Sequence, residues 1–167
     1  MWQFTKLCDY IFLDATLNGF QYTTVNRRLN HADAQRHCET LGATIASIHS
    51  AEENSFINTI NTRGVQFNAA QSSNFRDVWI GFVTGSSCSC LNRPRDACAQ
   101  CRSEWWWADA SAVDYIQFAP THPLGGGRNC GRMLYSGGDW HSAMCGTELK
   151  SVCKKGNVAV EFRKLCF

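Results

Sequence analysis

The stretch Cys130–Cys153, CGRMLYSGGDWHSAMCGTELKSVC, carries the most informative residue spacing in this chain. Trp140 stands five positions before Cys145, and Cys153 follows eight positions after Cys145. Short apolar segments in this stretch predict two strands, at 133–135 and 151–153. The stretch therefore predicts a domain that closes with short strands accompanied by cysteines.

Ten cysteines extend this pattern over nearly the whole chain. An even number at this density is typical of disulfides formed in the secretory pathway, because a reducing compartment would leave the thiols free. The alternative is that some of them bind a metal. We therefore predict a secreted, extracellular protein. The ten are Cys8, Cys38, Cys88, Cys90, Cys98, Cys101, Cys130, Cys145, Cys153 and Cys166.

Length and composition limit the function classes. The 167 residues fit a single domain, and 44% hydrophobic with 18% charged residues is ordinary for a globular protein. A net charge of +2 is too small to indicate a nucleic-acid partner. No apolar run approaches the length of a membrane span, and no nucleophile-elbow motif surrounds a serine. We therefore expect a non-enzymatic domain.

Helix and strand signals follow one another along the chain. Phe20–Thr24 alternates like a strand, and Val78–Phe82 has the composition of a buried strand. Asn30 is placed to cap a first helix, while Ser50 and Glu53 form a capping box for a second. Two early helices and late short strands predict an α+β domain.

The aromatic run at 105–107 also has a strand interpretation. At strand spacing, Trp105 and Trp107 share one face, which we assign to the core, and Trp106 lies on the other. Trp106 is therefore a candidate for contact with a ligand.

Four cysteines between Cys88 and Cys101 form a local cluster that we interpret as an insertion, at 83–104. Two local disulfides are favoured over a four-thiolate zinc site because the other cysteines indicate an oxidising compartment. Their pairing is left open by the sequence. We expect the enclosed segment to project as a stapled hairpin tip that presents Arg93 and Arg95.

The order of these motifs resembles the C-type lectin-like family. The resemblance implies a double-loop α+β fold, in which two helices flank short antiparallel sheets and a long loop region carries the ligand site. It covers residues 20–154, flanked by an N-terminal arm at 1–19 and a C-terminal extension at 155–167 that we expect to be tied to the arm. The matching motifs are Ala34-x-x-x-Cys38 leading to Glu53-x-x-Phe56-Ile57, then Trp79-Ile80-Gly81-Phe82, then Trp105-x-Trp107-x-Asp109, and lastly the spacing of Cys130, Trp140, Cys145 and Cys153.

The resemblance also implies two disulfides, Cys38–Cys153 and Cys130–Cys145. Cys8 has no near neighbour, and Cys166 is the partner left for it. The alternative is an intermolecular bond through Cys8 or Cys166, which would give a disulfide-linked dimer. We expect a monomer.

In sugar-binding members of the family, one loop triplet and one strand triplet supply the oxygen ligands of calcium. Here they align with His122-Pro123-Leu124 and Trp140-His141-Ser142. Ca²⁺ needs six to eight oxygen ligands, which imidazole and leucine do not provide. Arg128 adds positive charge where the family tends to place an acid. We therefore expect no calcium cofactor, although Pro123 is placed for a cis peptide bond.

The same substitutions raise the hypothesis of a different metal. On the analogy of the family, His122 and His141 approach each other, and Asp139 or Ser142 could complete a zinc or copper site. The alternative is a pair of histidines on a polar loop. The predicted ligand-binding set comprises His122, Pro123, Leu124, Arg128, Trp140, His141, Ser142, Trp106, Arg93 and Arg95.

Together these features predict a secreted recognition module that binds an extracellular protein without calcium. A second hypothesis is a calcium-independent lectin for neutral or sulfated glycans, in which Trp106 or basic residues contact the sugar. The phrase at 109–115 resembles invertebrate, especially nematode, lectin-like proteins.

Overall fold

The computed structural model describes residues 15–63 and 76–156, with the side chains of 95–97 left aside. The predicted α+β class is confirmed. Cys8 and Cys166, and with them the predicted tie between the two termini, lie outside the described residues.

Strands and helices have the following bounds. The strands are β1 Ala15–Leu17, β2 Phe20–Leu29, β3 Thr44–Ile45, β4 Val78–Val83, β5 Trp106–Trp107, β6 Cys130–Met133, β7 Trp140–Ala143 and β8 Leu149–Lys155. The helices are α1 His31–Thr40, α2 Ala51–Thr62 and α3 Arg95–Ser103.

The described strands form one sheet in the order β1-β2-β8-β4-β6-β7, with β3 joined to β8 and β5 to β4. The β4–β8 pair is parallel, and the other pairs are antiparallel. The central strands β8 and β4 are buried along nearly their whole length. The site described below lies at the β6–β7 edge of this sheet.

Both predicted N-cap residues are confirmed, but the Glu53 side chain of the predicted capping box accepts from the backbone N–H of His49 and not from that of Ser50. The Asn30 side chain accepts a hydrogen bond from the backbone N–H of Asp33 at 2.8 Å, at the start of α1. The Ser50 hydroxyl accepts one from the backbone N–H of Glu53 at 3.1 Å, at the start of α2. Each bond satisfies a donor that a helix N-terminus leaves free, so the sequence fixes where the helices begin.

Aromatic side chains fill the core between α2 and the sheet. The ring of Phe82 has its centroid 4.4 Å from that of Trp107, 5.3 Å from Trp140 and 5.5 Å from Trp105. Trp107 is fully buried while Trp106 is 51% exposed. The predicted alternation of the tryptophan run is therefore confirmed.

A buried ion pair joins β8 to α2. Lys154 Nζ lies 2.6 Å from Glu53 Oε1, and the hydroxyl of Tyr22 donates to the same oxygen at 2.6 Å. Burial and the neighbouring carboxylate raise the pKa of Tyr22, so the phenol stays a hydrogen-bond donor. These contacts connect β2, α2 and β8. Loss of any one partner would leave a buried charge without compensation, which strongly destabilises a protein.

Element boundaries differ from the sequence prediction in several places, and β2 runs to Leu29 where the predicted strand ended at Thr24. β1 begins at Ala15, inside the segment predicted as an N-terminal arm, and β8 runs to Lys155, inside the predicted extension. The strand predicted at 133–135 is β6, at Cys130–Met133. The chain turns earlier than predicted because the backbone N–H of Gly138 donates to the carbonyl of Leu134 at 3.0 Å.

Gly81 in β4 provides a test of core packing. A Cβ at Gly81 would lie 2.7 Å from the backbone oxygen of Ile45, so Gly81→Ala must displace β3 from β4. We expect Gly81→Ala to lower the free energy of unfolding by about 1–3 kcal/mol, measured by chemical denaturation. Gly146→Ala is the control, since a Cβ there meets nothing within 4 Å. Equal stabilities of the two variants would contradict this account.

Candidate functional site

Four disulfides fix the frame of the site. Cys38–Cys153 joins α1 to β8, and Cys130–Cys145 joins β6 to the end of β7, as the resemblance implied. In the insertion, whose pairing the sequence left open, the structure contains Cys88–Cys101 and Cys90–Cys98. The two insertion disulfides are nested, so they fasten an extended segment to α3.

The insertion is not the hairpin that the sequence predicted. Its tip is a turn at Leu91 and Asn92 followed by α3, because Cys98 and Cys101 stand three positions apart and lie on one face of a helix. Arg93 is exposed, and the side chain of Arg95 is outside the description.

The stapled segment is joined to the long loop, residues 119–129. Ser89 and Leu124 form an antiparallel bridge, and the backbone N–H of Cys90 donates to the carbonyl of Pro123 at 2.6 Å. The insertion and the long loop are therefore neighbours.

His122 and His141 lie together, as the analogy with the family predicted. Their rings stack with centroids 3.8 Å apart and an interplanar angle of 18°. The His122–Pro123 peptide bond is cis. His122 is only 6% exposed, and its Nδ1 accepts a hydrogen bond from the backbone N–H of Ser142 at 3.0 Å.

Burial lowers the pKa of His122 to about 3, and the positive charge of His141 and three nearby arginines acts in the same direction. Burial and Arg132 also lower the pKa of His141. At neutral pH the His122 ring is therefore uncharged. Since Nδ1 accepts a hydrogen bond, the ring proton is on Nε2.

This tautomer does not fit the transition-metal site that the sequence raised. With Nδ1 bonded to Ser142 and Nε2 protonated, His122 has no lone pair left for zinc or copper. Asp139 Oδ1 accepts a hydrogen bond from Gln117 Nε2 at 2.9 Å. Within residues 15–63 and 76–156, no group of three or more His, Cys, Asp or Glu side chains is arranged to hold a metal.

The positions of the calcium triplets also carry few free oxygens. The Ser142 hydroxyl accepts from the backbone N–H of Leu124 at 2.8 Å and lies 3.1 Å from His122 Nδ1. The Leu124 side chain has no oxygen. The Ser142 hydroxyl, at the second of these triplets, is therefore engaged in hydrogen bonds within the protein.

Several residues of the predicted ligand-binding set are too buried to contact a ligand. Trp140 is fully buried in the aromatic core, so its assignment to the set is wrong. His122, Pro123 and Ser142 are also buried and act by shaping the loop. Trp106 and Arg128 are exposed, and His141 is partly exposed.

Two exposed apolar residues were missed from the sequence. Leu91 is 55% exposed at the tip of the insertion, and Met144 is 52% exposed after β7. A Cβ at Gly127 would lie 3.7 Å from Sδ and Cε of Met144, so this side chain rests against the long loop. An apolar residue beside a cysteine is the only signal at either position, and it is too common to identify a site.

A second polar cluster contains serine, histidine and aspartate. His49 Nδ1 lies 2.7 Å from Asp114 Oδ1, and His49 Nε2 lies 3.1 Å from the Ser47 hydroxyl. The hydroxyls of Ser47 and Ser111 both donate to Asp109. These protons are therefore directed away from His49, and the cluster fastens the turn at 109–114 to the start of α2.

The comparisons with known proteins agree with this architecture. The family model described as "Lectin C-type domain" matches residues 27–155. The chain therefore belongs to the C-type lectin domain family.

Proteins similar in sequence to this chain include a receptor, an ice-structuring protein and a lectin by name. C-type mannose receptor 2 from Homo sapiens is 29% identical over 84% of this chain, which spans only 8% of the receptor's length. Type-2 ice-structuring protein from Hemitripterus americanus is 33% identical over 72% of this chain and 58% of its own. Ladderlectin from Oncorhynchus mykiss is 28% identical over 77% of this chain and 58% of its own.

Solved structures give the same fold. Herring type II antifreeze protein superimposes with a TM-score of 0.62 at 26% identity, covering 84% of this chain and 94% of its own. The carbohydrate-recognition domain of cow CD23, solved in the presence of an oligosaccharide, has a TM-score of 0.59 at 27% identity, with coverage of 84% and 90%.

His122 makes stability depend on pH. Its pKa is about 3 in the folded protein against an ordinary 6.5, so between these values the unfolded chain binds more protons. The free energy of unfolding therefore falls as pH is lowered through this window, by at most about 1.4 kcal/mol per pH unit. We expect a shallower slope in His122→Asn, measured by urea denaturation from pH 6.5 to 4. Identical slopes would contradict the buried, neutral imidazole.

Proposed function

We propose that this chain is a secreted, non-enzymatic recognition module that binds an extracellular protein without calcium. The observation that carries the proposal is the stacked pair His122 and His141 in the place of the calcium triplets. A protein that kept a calcium-dependent sugar site would need free carboxylate or amide oxygens there.

Hydrogen bonds at these positions support calcium independence. The backbone N–H of Leu124 donates a hydrogen bond to the Ser142 hydroxyl, and the backbone N–H of Ser142 donates one to His122 Nδ1. Entry of an ion would require these bonds to break and a neutral imidazole to leave its buried place. The loop is thus closed by contacts that calcium would have to displace.

Exposed apolar side chains support a protein ligand. Leu91 lies on the insertion and Met144 lies beside the long loop, and a hydrogen bond from Cys90 to Pro123 joins these two segments. Methionine, aromatic and arginine side chains are enriched at protein interfaces. Arg93 and Arg128 supply exposed cations on the same two segments. We name Leu91, Arg93, Arg128 and Met144 the end surface.

Membership of the family leaves the ligand open, because the relatives include a mannose receptor and an ice-structuring protein by name. In the part of the chain that the structure describes, no helix is long and apolar enough to cross a membrane. The extracellular location is proposed from the disulfides.

Calcium independence has a direct test. The melting temperature of the purified protein is expected to be the same in 5 mM calcium and in excess chelator, since an ion that binds the folded state would raise it. A rise of several degrees in calcium would contradict the proposal.

Protein recognition is tested with a matched pair of variants. We expect immobilised wild-type protein to retain a partner from extracellular fluid in chelator, and Leu91→Ser/Met144→Ser to bind that purified partner at least about tenfold more weakly. Ile116→Ser is the control, because Ile116 is 38% exposed but lies outside the end surface. Equal affinity of the double variant and the control would contradict the assignment of the end surface.

Trp106 favours a second candidate function, calcium-independent binding of glycans. Its ring is half exposed, and the missing side chain of Gly85 leaves space beside it, with Cη2 only 3.8 Å from the position of a Cβ there. An exposed indole can stack against a sugar ring. In a glycan array in chelator, signals lost in Trp106→Ala would support this function. Silence across neutral and sulfated glycans would count against it.

A further inference from the structure

We infer that the disulfide-stapled insertion holds the long loop in its binding conformation, and that Arg102 is the positioning residue through which it does so. This inference rests on the proposed function, since it explains how a loop without calcium stays ordered. It concerns residues that the sequence prediction did not include in the site.

Arg102 reaches from the last turn of α3 to the backbone of the long loop. Its Nε donates to the carbonyl of His122 at 3.1 Å, and its Nη2 donates to the carbonyl of Ala119 at 3.2 Å. The same Nη2 lies 3.4 Å from the carbonyl of Pro120. One guanidinium therefore bonds to three carbonyls within four residues, as its planar array of donors allows.

The position of Arg102 is itself fixed by the disulfides. Arg102 follows Cys101, which is bridged to Cys88, while Cys98 one turn earlier is bridged to Cys90. The helix that carries the guanidinium is thus fastened to the extended segment that pairs with Leu124. The guanidinium carbon also lies 6.0 Å from the centroid of Phe118.

On its other side the long loop packs directly on the backbone of the insertion. A Cβ at Gly125 would overlap the carbonyl oxygen of Ser87 and lie 3.1 Å from that of Cys88. Gly125 is buried and has a φ of +60°, a conformation that glycine adopts without strain. The loop is therefore held by Arg102 at residues 119–122 and by close backbone packing at Gly125.

The Arg102 guanidinium contacts oxygen atoms of the long loop, and oxygen is also the kind of atom that a calcium ion would bind. Both supply positive charge to oxygen atoms, but the guanidinium is covalently part of the protein and needs no free ion. The end surface is consequently a composite: Arg128 belongs to the long loop, Leu91 and Arg93 belong to the insertion, and their spacing depends on this attachment. A ligand would recognise the insertion and the loop as one unit.

Amide hydrogen exchange on the purified protein tests the inference without any ligand. In Arg102→Ala we expect the amides of Leu124 and Cys90 to exchange about tenfold or more faster than in wild type, because local opening no longer breaks the guanidinium bonds. The amide of Gly81, bonded to the carbonyl of Ala46 at 2.9 Å in the core, is expected to keep its rate. Arg102→Lys should give an intermediate rate, since an ammonium can bond only part of the set.

A glycine pair supplies the matched control for the packing contact. Gly125 and Gly126 have φ values of +60° and +61°, so alanine carries the same backbone strain at both. A Cβ at Gly126 meets only the flexible Arg128 side chain, at 3.3 Å, whereas one at Gly125 meets the backbone of the insertion. We expect Gly125→Ala to accelerate exchange at Cys90 and Leu124 and Gly126→Ala to leave Cys90 unchanged.

Unchanged loop exchange in Arg102→Ala would overturn the inference. So would faster exchange of Gly81 to the same extent, because that would make Arg102 a general stability residue, and so would equal effects of the two glycine variants. Recording the exchange in chelator and in calcium separates the two proposals. Extra protection of the wild-type loop by calcium contradicts the proposed function, while the Arg102 and glycine variants decide the role of the insertion.

Discussion

The indole of Trp140 is fully buried, and its Nε1 donates to the Asn54 side chain at 2.8 Å. Asn54 in turn donates to the carbonyl of Gly138 at 3.0 Å, so α2 holds the turn that leads into β7. The same indole contacts the rings of Phe82 and Trp107. Burial of this side chain therefore sets the position of β7 against both the helix and the sheet.

The site follows from that placement. Since Trp140 fixes the start of β7, His141 and Ser142 have defined positions at the edge of the sheet. The hydroxyl of Ser142 accepts a hydrogen bond from the backbone N–H of Leu124, and its backbone N–H donates to His122. His141 stacks on the buried imidazole of His122. Consecutive residues of β7 thus belong to the core and to the site. The long loop is held by hydrogen bonds that are largely shielded from solvent.

Much of the fold could be predicted because its signals are local. The helix caps at Asn30 and Ser50 satisfy donors three residues away, and the alternation of Trp105 and Trp107 follows from strand geometry. The approach of His122 to His141 was also predicted, by analogy with the family, but the stacking of their rings was not. The tautomer of His122, on which its ability to bind a metal depends, could not be predicted, because it follows from a hydrogen bond with the backbone N–H of Ser142 across the sheet edge.

The resemblance to the family, the helix starts, the buried strand at Val78–Phe82 and the lack of carboxylate or amide oxygens at His122 and Leu124 could all be read from residue type and short spacing. Only the tertiary structure decided that the insertion contains a helix, how its four cysteines pair, and that Arg102 bonds to the long loop. The physical reason is that an arginine's partners here are backbone carbonyls, which every residue has, so no sequence pattern marks them. The nested disulfides fix the position of α3, and this position brings Arg102 within hydrogen-bond distance of three backbone carbonyls.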